Sequence, residues 1–395
     1  MKVKVRQGDT LWHYSRLFMI PINLILDSNP MVSADQLQIG QEIKIPGFTT
    51  QTYTIKNGDT FWKLARSRNL SVDALLLLNQ SINPNRLNVG QSIQIPQRVI
   101  HSIIQRNINY DYAQMVRDIR TLKSQFPFIK ITQIGSSVLG KRLYEIRIGK
   151  GTKKVHIDAS FHANEWITTP ILMAHLNTFL LSLTNSQPIR GLMTNPLYQS
   201  VDLSIVPMVN PDGVDLVLNG PSASSREEVL RINNGSTDFS NWKANIRGVD
   251  LNNQFPANWE IEKERKEPKS PAPRDYPGDA PLTEPEAQAM AELAQNNNFD
   301  RLLAYHTQGE EFYWGYEGLE PPEASVIAAE FERVSGYQAI QYIDSHAGYK
   351  DWFIQEFRKP GFTLELGSGV NPLPISQFDE IYEEVLGIFL ASMYM

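Results

Sequence analysis

Five short stretches in the C-terminal two thirds of the chain carry residues that can do chemistry. They are His162-Ala163-Asn164-Glu165, Asn210-Pro211-Asp212-Gly213, Arg247-Gly248-Val249-Asp250-Leu251-Asn252, His306, and Phe362-Thr363-Leu364-Glu365. His162 and Glu165 are three residues apart just past an apolar run, Val155–Ala159, and on a turn both can point at one ion. His306 ends a second apolar run and can close a set of three ligands. That is the usual protein share of a catalytic zinc site, which keeps one position open. Glu365 lies inside a further apolar run, an expensive place for a carboxylate without a metal or water to act on. Taken alone, His-x-x-Glu and a strand-end histidine are weak signals, and His13, His101, His156 and His175 read as ordinary histidines. In this order the residues offer three ligands, a base and polar supports, the inventory for zinc-assisted hydrolysis.

The elements that must position these groups follow from the patterning. Tyr112, Met115, Val116, Ile119 and Leu122 recur at helical spacing up to Phe126-Pro127. Strand-like and helical runs then alternate: 143–148, 155–159, a helix near 168–183, 203–209, a helix near 284–297, 302–306 and 362–366. Such alternation predicts an α/β domain with a large central sheet. Thr283-Glu284-Pro285-Glu286 reads as a capping box, and the charged, proline-rich 260–281 as a long loop.

The first hundred residues are different. Gly8-Asp9-Thr10 recurs as Gly58-Asp59-Thr60, Trp12 as Trp62, Asn29 as Asn79, and Ile43–Pro46 as Ile93–Pro96. Each copy reads as a small βααβ unit with a turn at the glycine and a helix cap at Asp or Thr. Trp12 and Trp62 are expected in the two cores. These copies resemble LysM modules, which implies binding to N-acetylglucosamine-containing glycan. The expected contact loops are Gly8, Asp9 and Thr10 with Asn29, Pro30 and Met31, and Gly58, Asp59 and Thr60 with Asn79. The boundaries are then 1–47 and 51–97 for the modules, 98–109 for a linker and 110–395 for the catalytic domain.

Residues 110–395 resemble the zinc carboxypeptidase family. The resemblance implies a mixed sheet flanked by helices, with the site at strand ends. It implies one Zn2+ per chain on His162, Glu165 and His306, with Glu365 as the base and Asp250 orienting the first histidine. Lys243 falls where the family has an arginine that steadies the oxyanion, and Asn252 on a substrate contact. Asn253 stands where the family has an arginine that grips a terminal carboxylate. A neutral amide cannot make that bidentate pair. The family's substrate-facing tyrosine aligns on Ile343, leaving Tyr342, Tyr349 and His346 as candidates on that loop. Arg247 and Lys350 are candidate partners for substrate carboxylates. LysM modules on such a domain resemble the branch, from spore-forming bacteria, that cuts peptidoglycan stem peptides between D-glutamate and diaminopimelate. Two other readings remain: an ordinary metallocarboxypeptidase with wall-targeting modules, and a non-catalytic wall or spore-coat binding protein.

Composition bounds the rest. The 395 residues are 42% hydrophobic and 20% charged, as in an ordinary globular chain. There is no cysteine, so a metal must sit on histidine and carboxylate. Of the net charge of −6, residues 1–100 hold 11 basic against 6 acidic groups, a basic front part on an acidic body. Nothing suggests nucleic acid, and no apolar run approaches the ~20 residues of a membrane helix. No signal peptide is visible. The expected location is the cytoplasm of a sporulating cell, or the spore or cell wall.

Overall fold

The computed structural model describes every residue except Asp35. By contacts the chain divides into two compact units. The first comprises Met1–Ile103, Ile119–Lys130 and Asn177–Pro196, and the second Ile104–Asp118, Ile131–Leu176 and Leu197–Met395.

In the first unit each repeat forms a two-stranded antiparallel sheet with two short helices. The first holds β1 (Lys2–Lys4), helices Leu11–Phe18 and Ile22–Ser28, and β2 (Glu42–Lys44). The second holds β3 (Phe48–Thr54), helices Phe61–Arg66 and Val72–Leu78, and β4 (Ser92–Arg98). Thr10 and Thr60 cap their helices by accepting from the amides of His13 and Lys63, as the repeat predicts. The copies are clamped together. Arg6 makes a bidentate pair with Asp73 at 2.7 and 3.0 Å and also holds Asp9. They also grip the later segments of this unit. Gly47 is so close to Thr184 that a Cβ there would lie 2.6 Å from the Thr184 Cβ, and Arg98 donates to the Thr184 carbonyl at 2.9 Å.

Two expectations are overturned here. Trp12 and Trp62 are not core residues: they are 65% and 57% exposed, each with an arginine, Arg16 or Arg66, against its ring. Leu11 and Phe61, one position earlier, take the core place instead. Conversely Asn29 and Asn79 are buried, and their amides are used internally. Asn79 donates to the carbonyls of Leu75 and Gln94 at 2.7 Å each and accepts from the Gln94 amide at 2.8 Å. Asn29 does the same with Ile25 and Lys44. Their role is to tie helix end to closing strand, not to face a ligand.

The second unit is built on an eight-stranded mixed sheet in the order β11-β10-β12-β9-β7-β8-β6-β5. The strands are β5 (Lys130–Ser136), β6 (Arg142–Gly149), β7 (Lys153–Ala159), β8 (Val201–Val206), β9 (Arg301–His306), β10 (Glu311–Tyr313), β11 (Gln338–Ile340) and β12 (Gly361–Glu365). β7, β9 and β12 are parallel neighbours, so their carboxyl ends share one edge of the sheet. Both faces of β9 are buried, which accounts for its unbroken apolar run. Phe161, Leu251, Phe255, Tyr349 and Trp352 join one buried cluster beside that edge.

Three local expectations change. The helix Pro285–Asn297 starts from Glu284 with no side-chain cap bond and no capping box, because the Thr283 hydroxyl donates to Gln254 and Glu286 accepts from the Val138 amide. The stretch 260–281 is not all loop but begins within a helix, Trp259–Arg265. Ala163–Asn185, which contains the helix Thr168–Asn185, is long and apolar enough to cross a membrane, but 89% of an 18-residue apolar window in it is buried inside the fold. It is a core helix, and its apolar all-round character follows from that.

The contrast between asparagine and tryptophan in the repeats is measurable. Asn79→Ala strands buried groups and is expected to lower stability by about 1–3 kcal/mol. Trp62→Ala, on the surface, should stay within about 0.5 kcal/mol. Urea unfolding of the full chain, followed by a probe in the repeats, separates them; equal losses would return the tryptophan to the core.

Candidate metal centre

His162, Glu165 and His306 converge at the common edge of β7, β9 and β12. β7 ends at Ala159, and the chain turns through Ser160, which takes a left-handed φ of 52°. A knot of hydroxyls fixes that turn. Ser160 bonds Thr168 and Thr169, and Thr168 donates to the Glu165 carbonyl at 2.8 Å. Glu165 is thereby set on a short 3-10 turn, Ala163–Glu165, while His306 is simply the last residue of β9.

Glu165 lies between the two imidazoles. Its Oε1 is 2.9 Å from His162 Nδ1, and its Oε2 is 2.9 Å from His306 Nδ1. The two Nδ1 atoms are 3.1 Å apart. Two imidazole lone pairs cannot face each other at that distance without a positive charge between them. A zinc ion with bonds of ~2.0–2.1 Å would set tetrahedral ligands about 3.3 Å apart. One ligand atom from each of the three side chains lies within 4.8 Å of the others. The donor set of two neutral imidazoles and one carboxylate therefore fits a single zinc-sized cation.

The surroundings agree with this. Asp250 Oδ1 lies 3.2 Å from His162 Nε2. A proton on Nε2 leaves Nδ1 as the lone pair, the tautomer a metal needs. Burial works against the ionised Glu165, yet the His162 and His306 charges outweigh it and hold its carboxyl low. Burial also opposes a charge on His162, but Glu165 and Asp250 hold its pKa above the usual value. The pocket attracts positive charge.

Lys243 and Asp250 are a second buried pair, with Nζ 3.3 Å from Asp250 Oδ2 and 3.6 Å from Asp275 Oδ1. Against the cost of burial, Lys243 keeps Asp250 well below the ordinary carboxylate range, and Asp250 keeps Lys243 charged. Glu365 ends β12 and is paired in register with His306. Burial first, then the carboxylates of Glu165 and Glu311, push its pKa well up, while Lys243 pulls it down.

Several supports act through hydrogen bonds that only the folded chain shows. Asn210 donates to the carbonyls of Phe161 and Ala244 at 3.1 and 3.0 Å and accepts from Gly213. It ties the His162 loop to the Lys243 loop. A Cβ on Gly213 would lie 2.7 Å from Ala163, so only glycine fits there. Asn245 accepts from the amides of Arg247 and Val249, shaping the turn that delivers Asp250. Asp250 in turn accepts the Asn252 amide at 3.0 Å.

The outlying candidates fare unevenly. Tyr349 is fully buried in the core and donates to the Met290 carbonyl, so it is withdrawn as a substrate contact. Asn252 accepts the Tyr349 amide at 3.0 Å. Asn253 is buried, with Nδ2 on the Asn252 carbonyl and Oδ1 unpartnered. Tyr342 is half exposed and donates to Glu320, whereas His346 bonds the Tyr316 hydroxyl. Lys350 is not a surface cation: it is buried, 2.7 Å from Asp351 and 2.9 Å from the Gly315 carbonyl. Arg247 is exposed, with Glu284 a distant 3.5 Å away.

Comparison with known proteins accords with this geometry. The zinc carboxypeptidase family profile matches residues 115–387, and the LysM domain profile matches 3–46 and 53–96. The chain is 61% identical over 397 residues to gamma-D-glutamyl-L-diamino acid endopeptidase 1 of Lysinibacillus sphaericus, covering 100% of both. It is 26% identical to carboxypeptidase B of Rattus norvegicus, over 64% of this chain and 62% of that one. In fold it resembles carboxypeptidase A from Helicoverpa armigera, with a TM-score of 0.55 and 19% identity, over 73% of this chain and 75% of the other. The chain, with its two LysM domains, therefore belongs to the zinc carboxypeptidase family.

Proposed function

We propose that this protein hydrolyses the bond between γ-D-glutamate and meso-diaminopimelate in peptidoglycan stem peptides, and that its modules hold it on N-acetylglucosamine-containing glycan. One observation carries the reading: identity of 61% to the Lysinibacillus endopeptidase extends over the whole of both chains, repeats included. The neutral Asn253 supports the same choice. It offers no cation to a free terminus, which suits cleavage inside a peptide better than removal of its last residue. The domain division proposed is 1–47, 51–97, a linker 98–109 and 110–395.

His162, Glu165 and His306 would hold zinc. When bound, zinc polarises the scissile carbonyl and makes its water more acidic. Asp250 holds the His162 ring at the angle required, and Lys243 neutralises Asp250 while presenting a cation towards the developing oxyanion. Glu365 takes the proton of the attacking water and delivers it to the leaving amine. Burial, followed by the Glu165 and Glu311 carboxylates, raises its proton affinity. Arg247 is the exposed cation nearest the motifs for a substrate carboxylate. Lys350 is the second candidate cation, buried between Asp351 and the Gly315 carbonyl.

Three outcomes follow. Purified protein should contain about one zinc per chain; His162→Ala should lose it, and Asp250→Ala should weaken it by roughly ten- to a hundredfold by competitive chelation. Glu365→Gln should keep zinc but lose at least ~100-fold in kcat, and near-normal turnover would make Glu365 structural. L-Ala-γ-D-Glu-diaminopimelyl-D-Ala should give L-Ala-D-Glu and diaminopimelyl-D-Ala by mass spectrometry. Release of D-Ala alone would point to an ordinary carboxypeptidase instead.

A further inference from the structure

Glu311 stands beside the catalytic groups without a part in the mechanism above. His306 on β9 pairs with Glu365 on β12, and Glu365 pairs with Glu311 on β10. The three form one row across the sheet, at about 4.8 Å per strand. Phe312 and Leu364 follow in the same ladder and are fully buried on the opposite face. Alternation therefore puts Glu311 on the same face as Glu365, and Tyr313 beside Thr363 two residues along. The proposed metal ligand lies at one end of the row, the base in the middle and Glu311 at the far end.

Glu311 is held in place. Its carboxylate accepts the Tyr313 hydroxyl, and its Cγ lies 3.2 Å from the position of a Cβ on Gly309. No lysine or arginine pairs with it among the described residues. Like charges directly opposite on neighbouring strands destabilise a sheet. The chain thus keeps a second carboxylate next to its base, at a cost, with no lysine or arginine paired to it among the described residues. A cation brought by the substrate would offset that cost. Because the base protonates the leaving amine, the side of Glu365 away from the metal faces the leaving residue. Further along, the chain after β10 reaches Gly315, whose carbonyl holds the buried Lys350 ammonium at 2.9 Å. An acid and then a base along one line match a side chain that ends in an ammonium and a carboxylate.

We propose that Glu311 binds the side-chain ammonium of the residue on the leaving side of the scissile bond, and so makes the site selective for a diamino acid. This rests on the cleavage assigned above. Glu311 is a specificity residue and moves no proton in the reaction.

The test compares two tetrapeptides in the zinc-loaded, full-length enzyme. One carries meso-diaminopimelate, the other L-2-aminopimelate, which keeps the distal carboxylate and lacks the distal amine. The wild type should favour the first in kcat/KM by about 10- to 100-fold, as expected for a charge-assisted hydrogen bond. Glu311→Gln keeps size and the Tyr313 bond, and should bring that ratio to about one, chiefly through KM. Glu311→Asp should restore part of it. An equal fall for both peptides would show that Glu311 acts through Glu365 or the fold, and overturn the proposal. So would a wild type indifferent to the amine. If the wild type cuts neither peptide after D-glutamate, product analysis shows that before any variant is compared, and it is the cleavage assignment that fails.

Discussion

Two imidazole nitrogens and two carboxylate oxygens are held within about one hydrogen-bond length of each other in a place water barely reaches. That arrangement suits a small cation held between the four atoms, and the sheet and its loops keep it in place. Side chains on flexible loops would relax apart. Here His306 is the end of a strand buried on both faces, and Glu365 is its partner in register on the next strand. Only the His162–Glu165 arm leaves the sheet, and it is the arm with the densest hydroxyl network. Rigidity is concentrated where the sheet does not supply it.

The charges are arranged as a chain of alternating partners. Glu165 is balanced by the metal position, His162 by Asp250, Asp250 by Lys243, and Lys243 in part by Asp275. Removing any one member leaves its neighbour buried and unpaired, which is why a group that never touches substrate still governs the site. Asn210 and Asn245 act one step further out, fixing the loops that carry the chain's members.

Much of this was legible in the amino-acid sequence, and the reason is that it is local. His162 and Glu165 share a turn, His306 and Glu365 interrupt apolar runs, and the fifty-residue repeat announces itself. What failed depended on packing and partners that only the folded chain shows. Trp12 and Trp62 looked like core residues because tryptophan is usually buried, yet Leu11 and Phe61 beside them fill that place. Asn29 and Asn79 looked available because polar loop residues often are, but each meets a strand fifteen residues on. Tyr349, one of three candidates on its loop, is held in the core by Met290. The capping box at Thr283 is absent because the Thr283 hydroxyl donates to Gln254 and Glu286 accepts from the Val138 amide. Glu311 was invisible, since only strand register places it beside Glu365.

Register also explains how the same sheet edge can serve a different kind of substrate. A fixed cation in the loop after Asp250 would grip a peptide's free end, and this chain has a buried asparagine there. Under the proposed cleavage, recognition comes from groups along the leaving residue. On the far side of the base from the metal, the structure offers an acid on β10 and, past the end of that strand, a buried lysine held by Asp351. These groups lie outside the loop that presents Asp250, so they can change without disturbing the ligands or their supports. The catalytic row is fixed by the ladder of β9 and β12. What stands next to it on the edge side is free to set which residue leaves.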